Sequence, residues 1–175
     1  RRGGRVAVGF PRTPGSIPPL GGLHLPPSFK DLIMAKSGLM LVVGATGSGK
    51  STTIASMLDH RNSTTSGHIL TLEDPIEYLF EHKQSIVNQR EIGIDTQGYH
   101  RALPNALREA PDLIMIGEVR DRETRQRAML HTLSGHPCLS NPHANTSNHD
   151  LRRPTTPAPP NAPHRLLPQR PPAAP

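Results

Sequence analysis

Three near-continuous apolar runs punctuate an otherwise polar chain: Leu39-Met40-Leu41-Val42-Val43, His68-Ile69-Leu70-Thr71-Leu72 and Asp112-Leu113-Ile114-Met115-Ile116. Short runs of this kind suit strands buried on both faces of a parallel sheet. Between them the period changes. Ser51 to His60 reads as a helix following the first strand. Tyr99 to Ala110 spaces Leu103, Ala106 and Leu107 at helical intervals, and Pro104 inside it should kink the helix or delay its start. Phe29 to Ala35 predicts a short amphipathic helix ahead of the first strand. Ser85-Ile86-Val87-Asn88-Gln89 alternates and predicts another strand. Arg122 to Leu133 is a further helix candidate. Leu139 begins a fourth core strand that Pro137 and Pro142 cut short. Val6-Ala7-Val8 reads as the end of a strand whose partners are absent. Strand and helix alternate, which is the plan of an open parallel sheet that binds ligands at the C-terminal strand ends.

Composition changes this picture at the ends. Of 175 residues, 20 are proline and only 3% are aromatic. Leu151 to Pro175 is rich in proline, with Arg152, Arg153, Arg165 and Arg170 and no acid; Arg1 to Phe29 is similar. The formal charge of +6 therefore belongs to the flanks, which read as solvated, disordered arms. Lacking aromatic platforms other than Phe10 and Phe29, they give little support to nucleic-acid binding, and none is expected. Cys138 is the single cysteine, so no intramolecular disulfide forms. No apolar run reaches the length of a membrane span, and no signal peptide is read.

The candidate chemistry lies just after the first apolar run. Gly44-Ala45-Thr46-Gly47-Ser48-Gly49-Lys50-Ser51 is a complete G-x-x-x-x-G-K-[ST] phosphate loop, followed by Thr52. Its glycines let successive backbone N–H groups turn inward around an anion. Lys50 offers a charge to the β and γ phosphates, and the Ser51 hydroxyl offers a ligand to Mg²⁺. Hydrolysis also needs carboxylates. Glu118 follows the third run, with Gly117 where an aspartate usually holds the metal. Glu73, Asp74 and Glu77 cluster after the second run. Function is favoured for Glu118, Glu73 and Glu77, whereas Asp74-Pro75 makes a good turn. His136, Cys138 and His143 on one proline-broken stretch make a poor tetrahedral zinc set.

These blocks, together with Gln89-Arg90-Glu91-Ile92-Gly93-Ile94-Asp95-Thr96 and Arg108 to Glu118, resemble the secretion-ATPase superfamily. More closely they resemble type IV pilus retraction, or twitching-motility, ATPases of the PilT and PilU kind. Leu32 to Lys36 and Met57 to Asn62 lean toward the PilU branch. The resemblance spans about residues 16–150. It implies a P-loop NTPase (RecA-like) parallel sheet with flanking helices, an α/β fold incomplete at its C-terminal side. It further implies ATP and Mg²⁺ as cofactors, a homo-hexamer, and a cytoplasmic place at pilus machinery, peripheral to the inner membrane. Its Asp box maps onto Glu73–Glu77 and its Walker B onto Ile114–Glu118, with Gly117 before the glutamate. Its His box maps onto His143 as a γ-phosphate sensor, here with Pro142 beside it. The division that follows is 1–27 as remnant domain and linker, 28–150 as ATPase core and 151–175 as tail. Besides a retraction motor, two readings stay open: a nucleotide-binding fragment impaired in catalysis, and a type II secretion or pilus-assembly ATPase.

Overall fold

The computed structural model describes residues 15–117, 126, 132 and 135–141. A 3-10 turn, Leu20–Leu23, and helix α1, Ser28–Ile33, lead into strand β1, Gly38–Leu41. Helix α2, Lys50–Thr64, connects it to β2, Gly67–Glu73. Strand β3, Ser85–Glu91, then helix α3, Tyr99–Arg108, then β4, Leu113–Ile116, and β5, Pro137–Ser140, follow. All five strands are parallel, in the order β1-β5-β4-β2-β3.

Both faces of the sheet are covered, which accounts for the unbroken apolar runs. Ile54, Met57 and Leu58 of α2 pack on Ile69, Val87, Leu113, Met115 and Leu139. Ala102, Leu103 and Ala106 of α3 pack on Leu70, Leu72, Ile114, Ile116 and Cys138. Successive residues of β4 thus serve opposite cores, and each fully buried Leu or Ile contributes about 1.5–3 kcal/mol. The segment before α1 joins the α2 side: Leu20 is buried there, and Ser56 donates to the Pro18 carbonyl at 2.7 Å.

Three elements differ from the sequence expectation. The first apolar run was expected as a buried strand, yet among the described residues β1 is the edge of the sheet. Leu39 is 36% exposed and Val43 47%. The strand containing Leu139 begins at Pro137 and pairs on both sides, with β1 and with β4. Proline is tolerated as a strand's first residue, where its missing N–H breaks least of the ladder. Helix α3 starts at Tyr99 and runs through Pro104 without delay. The carbonyl this leaves without an i+4 partner is that of His100, an exposed residue that water can serve. The Val6–Val8 segment, most of the Arg122–Leu133 helix candidate and both proline-rich arms lie outside the described residues.

The connection between β2 and β3, residues 74–84, contains no helix and is strapped along α2 instead. Fully buried Asn62 donates to the Glu81 carbonyl at 2.8 Å and accepts from the Lys83 N–H at 3.3 Å. Lys83 pairs with Asp59 at 2.7 Å. Arg61 donates to the carbonyls of Ile33, at 2.7 Å, and Ala35, at 3.3 Å, satisfying the end of α1.

Candidate nucleotide site

The glycine-rich loop joins the C-terminal end of β1 to the N-terminus of α2. Gly47 and Gly49 have φ of 78° and 87°, a left-handed backbone that side chains disfavour. A Cβ on Gly44 would come within 2.7 Å of Ser48 Oγ, so a side chain there would force the Ser48 hydroxyl to turn away. Lys50 Nζ arches back to the Ala45 carbonyl at 2.8 Å. The first N–H groups of α2 have no intrahelical partner and carry the positive end of the helix dipole. Such a terminus is a ready anion site.

The acidic segment after β2 faces this helix start across a cleft of about 450 Å³, whose walls include Lys50, Ser51, Glu73, Glu77, Tyr78 and Asn141. Ser51 Oγ donates to Glu77 Oε1 at 3.0 Å, and Thr52 Oγ1 lies 2.9 Å from the Tyr78 hydroxyl. Asp74 and Pro75, joined by a cis peptide, form the turn between Glu73 and Glu77. Glu73 itself is buried. Its Oε1 accepts from the Thr71 hydroxyl at 2.6 Å and from Gln89 Nε2 at 3.2 Å. Burial pushes its carboxyl above the ordinary range. The bonds from Thr71, Gln89 and the Glu77 backbone partly offset this, and the nearby Glu77 charge adds to it.

The sheet closes the cleft floor. The Gly117 N–H donates to the Leu72 carbonyl at 2.7 Å, and its own carbonyl accepts from the Asn141 N–H at 3.1 Å. A Cβ on Gly117 would stand 3.2 Å from Leu72 O and 3.4 Å from Glu73 Cα. An aspartate there would crowd the neighbouring strand, and the acids of the next strand end stand beside the place it would fill. Glu118 follows Gly117 in sequence. Glu118 and His143 lie outside the described residues. Cys138 sits in the α3-side core, where burial pushes its thiol up to about 12.

The donor set suits Mg²⁺. A serine hydroxyl and a carboxylate are hard oxygen ligands. Ser51 and Glu77 stand side by side at the cleft, where both oxygens could serve a cation carried by bound phosphates. The phosphate loop, Glu73 and Glu77 thus gather at one cleft. Sequence reasoning passed over Tyr78 and Gln89. The signal for Gln89 was its phase: it follows Ser85 and Val87 on the inward side of β3, where a polar side chain needs a partner.

A parallel sheet of this order, with the glycine loop and an acidic strand end meeting at its C-terminal edge, defines a P-loop NTPase fold of the RecA-like type. The chain belongs to the Type II/IV secretion system protein family, whose model matches residues 25–156. It is 51% identical over 148 residues to the type IV pilus ATPase PilU of Pseudomonas aeruginosa, covering 85% of this chain and 39% of that protein. To the type IV pilus retraction ATPase PilT of the same organism it is 48% identical over 127 residues, covering 73% and 37%. A crystal structure of the pilus retraction motor PilT with bound ADP matches with a TM-score of 0.73 at 54% identity, over 74% of this chain and 38% of that one. The Legionella pneumophila ATPase DotB matches with a TM-score of 0.70 at 37% identity, over 74% and 37%. The chain thus spans less than two fifths of the length of these relatives. The resemblance to pilus ATPases read from the motifs is borne out.

Proposed function

We propose that this chain carries the ATP-binding and hydrolysing core of a type IV pilus retraction motor, working with Mg²⁺. The observation that supports this best is the meeting of Ser51 with Glu77, which puts a phosphate loop and a carboxylate on one cleft. The names of the relatives supply the pilus. In this reading the phosphates lie along the backbone of Gly44, Ala45, Thr46, Gly47, Ser48, Gly49, Lys50, Ser51 and Thr52, with Lys50 reaching the β and γ groups. Ser51, with Glu77 beside it, would hold Mg²⁺, whose charge would offset that of the transferred phosphoryl group. Glu118 orients the attacking water, Glu73 supports the acidic segment from beneath, and His143 answers to the γ-phosphate. A homo-hexamer, in which neighbouring subunits complete the charge stabilisation, and a cytoplasmic position at the inner membrane belong to the same proposal. No helix among the described residues is long and apolar enough to cross a membrane.

Binding of a fluorescent ATP analogue tests the site. Lys50→Ala removes a charged donor, an interaction worth about 1.5–3 kcal/mol, and should weaken binding tenfold or more. Equal binding by variant and parent would remove the basis of the proposal. In a longer relative carrying the same blocks, Glu118→Gln should keep nucleotide affinity and lose phosphate release. Turnover at the parent rate would refute the role of Glu118.

A further inference from the structure

The side chain of Gln89 spends its hydrogen-bonding capacity on the acidic segment. Nε2 donates to the Tyr78 carbonyl at 2.8 Å and to Glu73 Oε1 at 3.2 Å. Oε1 accepts from the Phe80 N–H at 2.9 Å. The amide therefore pairs with the backbone of residues 78 and 80 as a peptide group would in a ladder, and gives its second proton to a carboxylate. Only a primary amide of this length does all three: a carboxylate lacks the donors, and asparagine is one methylene short. A second pin lies next to it, where Glu91 Oε2 accepts from the Ile76 N–H at 2.9 Å. On the far side of the segment hang the two contacts to the phosphate-loop helix, Glu77 to Ser51 and Tyr78 to Thr52.

The segment carries no regular structure of its own between residues 74 and 84. Glu77 is exposed on it, so the position of its carboxylate depends on what anchors the backbone. Those anchors lie on β3, the opposite edge of the sheet from the phosphate loop. We infer that Gln89 is a positioning residue: by clamping Tyr78, Phe80 and Glu73 it fixes Glu77 against Ser51, and so sets the affinity of the nucleotide site for its divalent cation. The inference rests on the proposed Mg·ATP site. It adds a control point outside the phosphate loop and the acid box.

The measurement is binding of a fluorescent ATP analogue to the full chain, first in EDTA and then across a Mg²⁺ titration. Partners that orient a metal's ligands typically contribute 10–100-fold to its affinity. Gln89 acts one step further back, through the backbone beside Glu77, so Gln89→Leu should raise the half-saturating Mg²⁺ by the low end of that range, about tenfold. Affinity in EDTA, which the loop and Lys50 set, should stay within about twofold. Gln89→Glu keeps the size but loses both donors and should show the same rise; it decides the matter if the leucine variant does not fold. A purely structural glutamine would instead lower affinity equally with and without Mg²⁺, and that result overturns the inference. So does a Mg²⁺ dependence unchanged from the parent. If the parent binds no nucleotide in either condition, the site itself falls and the inference with it, a result distinct from a parent that binds and is indifferent to Gln89.

Discussion

Gly117 shows how one missing side chain shapes the site. Its φ is not left-handed, so its requirement is space: Leu72 O and Glu73 Cα leave a Cβ only 3.2 and 3.4 Å. Gly117→Ala should destabilise the chain by about 1–3 kcal/mol, the usual cost of overpacking, read as a lower urea midpoint. A change below about 0.5 kcal/mol would mean that the Leu72 strand end yields freely. Glu73 makes a second prediction at this scale. Its folded-state pKa is raised, so the native state holds the proton more tightly than the unfolded chain. That contribution is complete below the ordinary value of 4.5 and is lost as pH climbs through the raised one. Glu73→Gln should remove this downward slope of melting temperature with pH above 4.5. Parallel profiles for parent and variant would refute it. The glycines, Lys50 and Ser51 were legible in sequence because a phosphate cradle dictates their spacing. For Gln89 only the inward phase on β3 was legible; its partners, the Tyr78 and Phe80 backbone and the Glu73 carboxylate, lie outside its own strand and no local pattern names them.

Among the elements, α2 is the strap that holds the acidic segment to the phosphate loop. Its apolar period ends at Leu58 and the sequence predicts a helix only to His60, yet the helix continues to Thr64. The extra turn carries Arg61 and Asn62, buried by their hydrogen bonds to distant backbone and not by hydrophobicity. Asn62→Ala should cost about 1–3 kcal/mol, since it strands the Glu81 carbonyl and the Lys83 N–H. Lys83→Ala breaks only the partly exposed pair with Asp59 and should cost less than about 1 kcal/mol. Thermal melts of the two variants would check the ranking, and a reversal would show that the ion pair is the true strap. The strands and helices themselves were legible from their periods. What each helix grips at its ends was not, because that is decided by residues far away in sequence.

Over the whole molecule, the order of the strands was the least legible feature. Nothing local in Pro137–Ser140 says that it inserts between β1 and β4, and the proline argued for a weak, clipped strand. Its place follows only from pairings across the fold. Of the described residues, none pairs with the outer side of β1, and Leu39 is exposed there. Open apolar edges invite association. Light scattering should therefore show concentration-dependent self-association that Leu39→Lys suppresses; equal scattering by both would acquit this edge. The same pairing has a consequence in time. Gly38 lies opposite Pro137, about a hundred residues later in the chain. At roughly 5–20 residues per second, the ribosome completes the phosphate-loop strand about 5–20 seconds before it makes the strand that pairs with it. Through that interval the nascent chain holds the whole phosphate-binding sequence on a strand still without its neighbour. Synthesis halted between the two would leave a chain that bears the motif on a strand with no β5 to pair with.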